Sequence, residues 1–259
     1  MITNSIILFI SAMIGGLLAW RLRHVPQQTF RLVLVFAASY LFATTVVHLL
    51  PELASGHNHA DGTDGHQHRA WLFVYVLAGF FLQQFLELLS GGVEHGHLHA
   101  PHGDNHYHKP VVVLLVGLGL HAFMEGTILN HPSQGHQHDS LHADALLFGI
   151  VLHKLPAAFA LMSVLVCQFK KGALPIVLLT VFALASPAGV ILSEVLEQNA
   201  LLPEHVVEIL FAIVAGNFLH ISTTIFFEST PHEHKFNLHK TVISLIAASL
   251  AVLTESLSH

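Results

Sequence analysis

Apolar residues in this chain come in eight long runs, near 4–22, 31–51, 70–91, 110–130, 143–168, 174–197, 205–228 and 240–257, separated by polar connections. Crossing a hydrocarbon core about 30 Å thick takes roughly 20 apolar residues in a helix. The pattern therefore predicts an all-α polytopic membrane protein with eight transmembrane helices. Little chain remains for a soluble domain, so residues 1–259 read as a single transmembrane domain. The first run follows Met-Ile-Thr-Asn, without the cationic start and small-residue cleavage site of a removable signal peptide, and is expected to be a retained helix.

Composition agrees with the pattern. Hydrophobic residues make up 53% of the chain and charged residues 10%, with a mean hydropathy of +0.63, which excludes an ordinary soluble globular protein. Charge then supplies an orientation. Arg21, Arg23 and Arg31 flank the first connection, Lys109 ends the third, Lys170 and Lys171 lie in the fifth, and Lys235 and Lys240 lie in the seventh. Only Arg69 falls in an even-numbered connection, and Lys154 lies inside a span. Positive residues concentrate on the cytoplasmic side, so the odd connections are expected to be cytoplasmic and both termini outside. A net charge of -6 is spread between loops and helices, and no patch suited to nucleic acid is visible. Cys167 has no second cysteine to pair with and reads as a small packing residue.

Twenty-four histidines stand out, most of them in the connections. Histidine-rich stretches lie at about 52–69, 92–109, 131–142 and 230–239. Neutral imidazole binds metal, weakly and flexibly where no fold fixes its geometry. Four such tracts in a small chain read as metal-collecting or regulatory segments rather than as polar loops that merely favour histidine.

Sharper chemistry sits inside the fourth and fifth runs, as His121-Ala-Phe-Met-Glu125-Gly126 and His153-Lys154-Leu-Pro156. Ionisable groups within lipid-length segments are costly and mark functional pathways by default. His121 and Glu125 are four apart, on one helical face. Adjacent spans run in opposite directions, and His121 is nine residues from Asn130 as His153 is nine from Asp144. At ~1.5 Å per residue both imidazoles lie roughly 13 Å below the outer surface, near the midplane. Two imidazole nitrogens and a carboxylate oxygen suit Zn²⁺ and leave a position open. The same donors also serve Fe²⁺, Mn²⁺ and Cd²⁺. A lone buried histidine would read as a packing residue with a hydrogen bond to a neighbour; three donors matched in depth favour a metal site. Pro156 removes a backbone bond beside the ligand, as in the broken helices of transporter sites, although prolines are also common in membrane helices.

Other polar residues are weaker candidates for a pathway or for charge balance. His48 and Glu52 are one turn apart at the outer end of the second run, suited to a relay or an interfacial cap. His220 precedes Ser222, Thr223 and Thr224 in the seventh run, and Glu228 closes it. Hydroxyls in membrane helices often bond their own backbone, which favours a structural role for that run. Gln83 and Glu87 in the third run read as interhelical hydrogen-bonding residues.

In these motifs the chain resembles the ZIP family of divalent-metal transporters. His121-x-x-x-Glu125-Gly126 is similar to the family's fourth-helix signature and His153-x-x-Pro156 to the fifth. Fainter echoes are His48-Leu-Leu-Pro51-Glu52, Ser186-Pro187-x-Gly189 and Ala215-Gly216-Asn217-Phe218-Leu219. The resemblance implies a 3+2+3 arrangement with inverted repeats. It also implies uptake of a divalent metal, foremost Zn²⁺, into the cytoplasm by alternating access, with the metal as cargo and no resident cofactor. Many members hold two carboxylate-bridged ions. Here Ala122, Lys154, Ala157 and Ser186 stand where the family often has Asn or acids, so a single-ion site is expected, resembling the branch with His-Lys on the fifth helix. The Lys154 ammonium is then placed to supply the charge of a second ion, or to pair with a carboxylate such as Glu125. Two rivals use the same ligands: an intramembrane zinc hydrolase, although no H-E-x-x-H motif is present, and a non-transporting metal sensor. The expected surroundings are a lipid bilayer, a bacterial inner membrane by the chain's small size, with a homodimer left open.

Overall fold

A computed structural model describes residues 2–22, 27–55, 64–90, 111–129, 139–169, 172–199, 203–228 and 238–258, which contain helices and no strand. Helix α1 spans Ile2–Arg21. The second rod, α2, runs through Gln27–Thr44, a π-helical stretch Thr45–Leu49 and a last segment Leu50–Ser55. It is followed by α3 (Asp64–Ser90), α4 (Val111–Thr127), α5 (Asp139–Gln168), α6 (Leu174–Gln198), α7 (Glu204–Glu228) and α8 (Leu238–Ser258). These correspond one to one with the eight apolar runs. Helices α2, α3 and α5 start several residues earlier than the apolar pattern predicts, because polar residues such as Gln27, Asp64 and Asp139 extend them beyond the apolar run. Among the described residues six helices are long and apolar enough to cross a membrane alone, whereas Val111–Thr127 and Leu238–Thr254 are shorter apolar helices. At ~1.5 Å per residue, seventeen residues still reach about 25 Å, close to the hydrocarbon thickness.

Large apolar side chains cover the outside. Ile2, Ile6, Ile10 and Ile14 form an exposed stripe along α1, and Leu245, Ile246 and Leu253 do so on α8. Such continuous apolar surface is unusual in water and natural in lipid. The chain is a multi-pass integral membrane protein.

Helix packing has an internal two-fold pattern. Helix α1 packs on α5 as α6 packs on α4; α3 packs on α7 as α8 packs on α2; α3 touches α4 as α8 touches α5; and α1–α6 and α2–α7 meet at the centre. Exchanging α1, α2, α3 and α4 with α6, α7, α8 and α5 leaves this set of pairs unchanged. Each exchanged pair runs in opposite directions in a chain that crosses back and forth, so the relation is an inverted repeat. The pairs α2–α5, α5–α6 and α2–α3 fall outside the symmetry.

Small residues make these crossings close. A Cβ on Gly126 would lie 2.1 Å from the Ser186 carbonyl oxygen, and one on Gly189 would lie 2.1 Å from that of Phe123, so α4 and α6 interlock reciprocally. Gly79 and Gly216 do the same for α3 and α7, and Gly15 seats α1 on Leu155 of α5. Between α2 and α8 the corresponding role falls to Ala43, Ala247 and Ala251, packed with the buried Tyr40.

Two apolar clusters divide the interior. One, on the side of the odd-numbered connections, contains Leu34, Leu118, Ala122, Ala158, Leu165 and Leu179. The other, toward the even-numbered connections, contains Leu41, Leu49, Ile128, Ile150, Val190 and Phe218. Residues 121–125 and 153–154 fall where one cluster gives way to the other.

These contacts generate a prediction with an internal control. Gly216→Ala puts a methyl 1.9 Å from the Val76 carbonyl oxygen, against backbone that cannot yield cheaply, and should lower stability by about 1–3 kcal/mol. Gly119 has nothing within 4 Å of its virtual Cβ, so Gly119→Ala should leave stability unchanged or raise it by up to about 1 kcal/mol. Thermal unfolding of the purified variants in detergent checks both; equal midpoints would contradict the packing account.

Candidate metal centre

The centre is assembled from α4, α5 and α6. Four-residue spacing puts His121 and Glu125 on the buried face of α4, with the imidazole Nε2 3.0 Å from Glu125 Oε1. Across from them on α5, the His153 ring stands nearly perpendicular to that of His121, at 86° with centroids 5.7 Å apart. One ligand atom from each of the three residues lies within 4.8 Å of the others. A tetrahedral zinc with bonds near 2 Å places its donors about 3.3 Å apart, so small side-chain rotations close the set around an ion. All three residues are at least 96% buried, with exposures of 4%, 2% and 1%. Two imidazoles and a carboxylate in this arrangement could hold a divalent ion.

Lys154, next to His153, is as deeply buried and reaches the far side of the same carboxylate. Its Nζ donates to Glu125 Oε2 at 3.1 Å. It also makes a short hydrogen bond to Ser186 Oγ, and that hydroxyl donates in turn to the carbonyl of Ala122. The Phe182 ring, 5.3 Å from Nζ to its centroid, adds a cation–π contact. Ser186 reaches α4 only because Gly126 and Gly189 let the two backbones approach. Helix packing and ammonium placement are therefore one feature. Pro156 and Pro187 lie inside α5 and α6, each leaving the carbonyl four residues back without its intrahelical donor.

The weaker sequence candidates sit elsewhere. His48 and Glu52 face one another at 3.7 Å on α2, partly exposed, with His48 inside the π stretch. This pair lies near the C-terminal end of α2, which leads into an even-numbered connection. His220 Nε2 lies 2.6 Å from Glu87 Oε2 of α3. The hydroxyls of Ser222, Thr223 and Thr224 bond backbone carbonyls of their own helix. The side chain of Glu228 lies outside the described residues, as do the histidine-rich connections apart from their helical ends. Sequence reasoning placed Gln83 among interhelical bonds but not at this centre. Its Oε1 lies 3.1 Å from His121 Nδ1; the one available signal was an amide in the middle of an apolar run.

Comparison with known proteins is consistent with this geometry. No curated protein matches the chain. The family model described as ZIP zinc transporter matches residues 1–112 and 92–254. Together these matches cover nearly all of the sequence, and the chain belongs to the ZIP zinc transporter family.

Proposed function

We propose that this divalent-metal transporter carries Zn²⁺ into the cytoplasm through a single midplane site made by His121, Glu125 and His153. The observation that carries the reading is the buried triad itself, three donor atoms within 4.8 Å of one another between two apolar clusters. Cargo must be held without being trapped, and three protein donors leave coordination incomplete, which suits transient binding. Lys154 favours one ion over two: its ammonium occupies the far side of Glu125, where a second bridged cation would otherwise sit. When no ion is bound, that ammonium neutralises the carboxylate and lowers the cost of keeping it in the membrane.

Alternating access requires the site to move relative to its surroundings. The glycine contacts favour α1, α4, α5 and α6 moving as one group, because α1 is seated on α5 and α4 on α6 through backbone approaches too close to slide. Helices α2, α3, α7 and α8 form the complementary group through α3–α7 and α2–α8. The family resemblance implied the site-bearing helices shifting as a block against two inverted three-helix repeats; the close approaches at Gly15, Gly126 and Gly189 support counting α1 and α6 with the moving side. In this reading the outer histidine-rich tracts gather ion and the cytoplasmic ones receive it. Orientation follows from the Lys and Arg distribution, with both termini outside.

Reconstituted in liposomes with an internal zinc dye, the wild type should accumulate Zn²⁺, and His121→Ala or Glu125→Ala should reduce initial uptake by at least about tenfold. Wild-type uptake retained in either variant would sink the site assignment. Lys154→Ala leaves the Glu125 carboxylate buried without its cation, which should cost about 3–5 kcal/mol in metal-free protein. Added Zn²⁺ should then raise the thermal midpoint of Lys154→Ala more than that of wild type, since the ion takes over the pairing. An equal shift in both would contradict the charge-balancing role.

A further inference from the structure

Gln83 on α3 is fully buried, with 0% exposure, in a stretch otherwise rich in leucine and phenylalanine. A polar amide is costly there unless its hydrogen bonds serve a purpose. Its Oε1 lies 3.1 Å from His121 Nδ1. The other nitrogen of that ring, Nε2, lies 3.0 Å from Glu125 Oε1 and so faces the triad. Neutral imidazole offers a lone pair on one nitrogen only when the other carries the hydrogen, and the partner at the second nitrogen decides which. An amide oxygen can only accept. It therefore favours a hydrogen on Nδ1, so that Nε2, which faces the Glu125 carboxylate in the ion-free site, is the nitrogen left to present its lone pair once an ion takes up that carboxylate.

We propose that Gln83 is a positioning residue for metal binding, fixing the tautomer and ring orientation in which His121 presents Nε2. Outer partners of metal-bound histidine act in this way, and losing them typically weakens affinity by about 10–100-fold. The bond also joins α3 to α4, so a side chain from the complementary helix group holds a ligand of the site-bearing group. The proposal rests on His121 being a ligand, as assigned above, and its test separates the two claims.

Zinc affinity is measured by chelator competition on purified wild type, His121→Ala, Gln83→Met and Gln83→Glu, with thermal midpoints recorded alongside. The site is defined as the binding that His121→Ala removes; if the wild type shows none, the site reading fails and this proposal with it. Given that binding, Gln83→Met has similar bulk but no oxygen acceptor, and should weaken it by about tenfold or more at a nearly unchanged midpoint. Gln83→Glu keeps an accepting oxygen and should stay within about threefold of wild type. A packing role predicts the reverse order, with methionine tolerated and a buried carboxylate disruptive. Wild-type affinity in Gln83→Met would overturn the proposal while leaving the site intact. If Gln83→Met does not fold, ¹⁵N-histidine spectra of the Cd²⁺-loaded wild type decide instead, with the His121 signal assigned by its loss in His121→Ala. Cadmium coupling at Nε2 with a protonated Nδ1 supports the proposal, and coupling at Nδ1 overturns it.

Discussion

One carboxylate organises the interior of this protein. Glu125 is almost completely buried in a membrane-spanning helix, and its two oxygens face different partners: Oε1 meets His121 and Oε2 meets Lys154. An isolated carboxylate in such a place would carry a desolvation penalty of several kcal/mol. Every polar neighbour can be understood as offsetting that penalty. Lys154 supplies charge, Ser186 holds Lys154, the Ala122 carbonyl holds Ser186, and Gln83 holds the histidine on the other side. On the proposed site assignment, a divalent ion entering this cluster replaces histidine contacts with bonds to the same atoms, so the machinery that makes the carboxylate tolerable would also be the machinery that binds cargo.

Such a cluster needs helices unusually close together, and glycine provides this. Gly126 and Gly189 allow α4 and α6 to exchange backbone contacts beside the site, so Ser186 can reach across to α4. The inverted pairing of the helices makes α4 and α5, which carry the three proposed ligands, counterparts of one another. Apolar clusters on both sides keep water from the triad, and in that dry surrounding hydrogen bonds and charge pairs act more strongly than they would in solution.

Much of this was legible in the sequence, for definite reasons. Eight apolar runs became eight helices because lipid leaves the backbone few alternatives. His121 and Glu125 share a face because the helical period is fixed, and their depth relative to His153 followed from counting in two antiparallel spans. What the sequence did not reveal depends on side chains meeting across helices. Nothing in the local pattern tied Gln83 to His121, 38 positions away, or Glu87 to His220, 133 positions away. Lys154 had a foreseeable partner in Glu125, since both are buried and of opposite sign. Ser186 looked like the loss of an acid and proved to be the seat of the ammonium. The π stretch at Thr45–Leu49 and the grouping of α1 and α6 with the site-bearing helices were equally hidden, because both follow from packing geometry rather than from composition.

The central claim is one ion held by three residues, with an ammonium in place of a second ion. Anomalous diffraction at the zinc edge from crystals of the Zn²⁺-loaded protein addresses it directly. The account predicts one intramembrane peak, about 2.0–2.2 Å from Nε2 of His121, an imidazole nitrogen of His153 and an oxygen of Glu125. A second peak beside Lys154, or a single peak away from the triad, would contradict it.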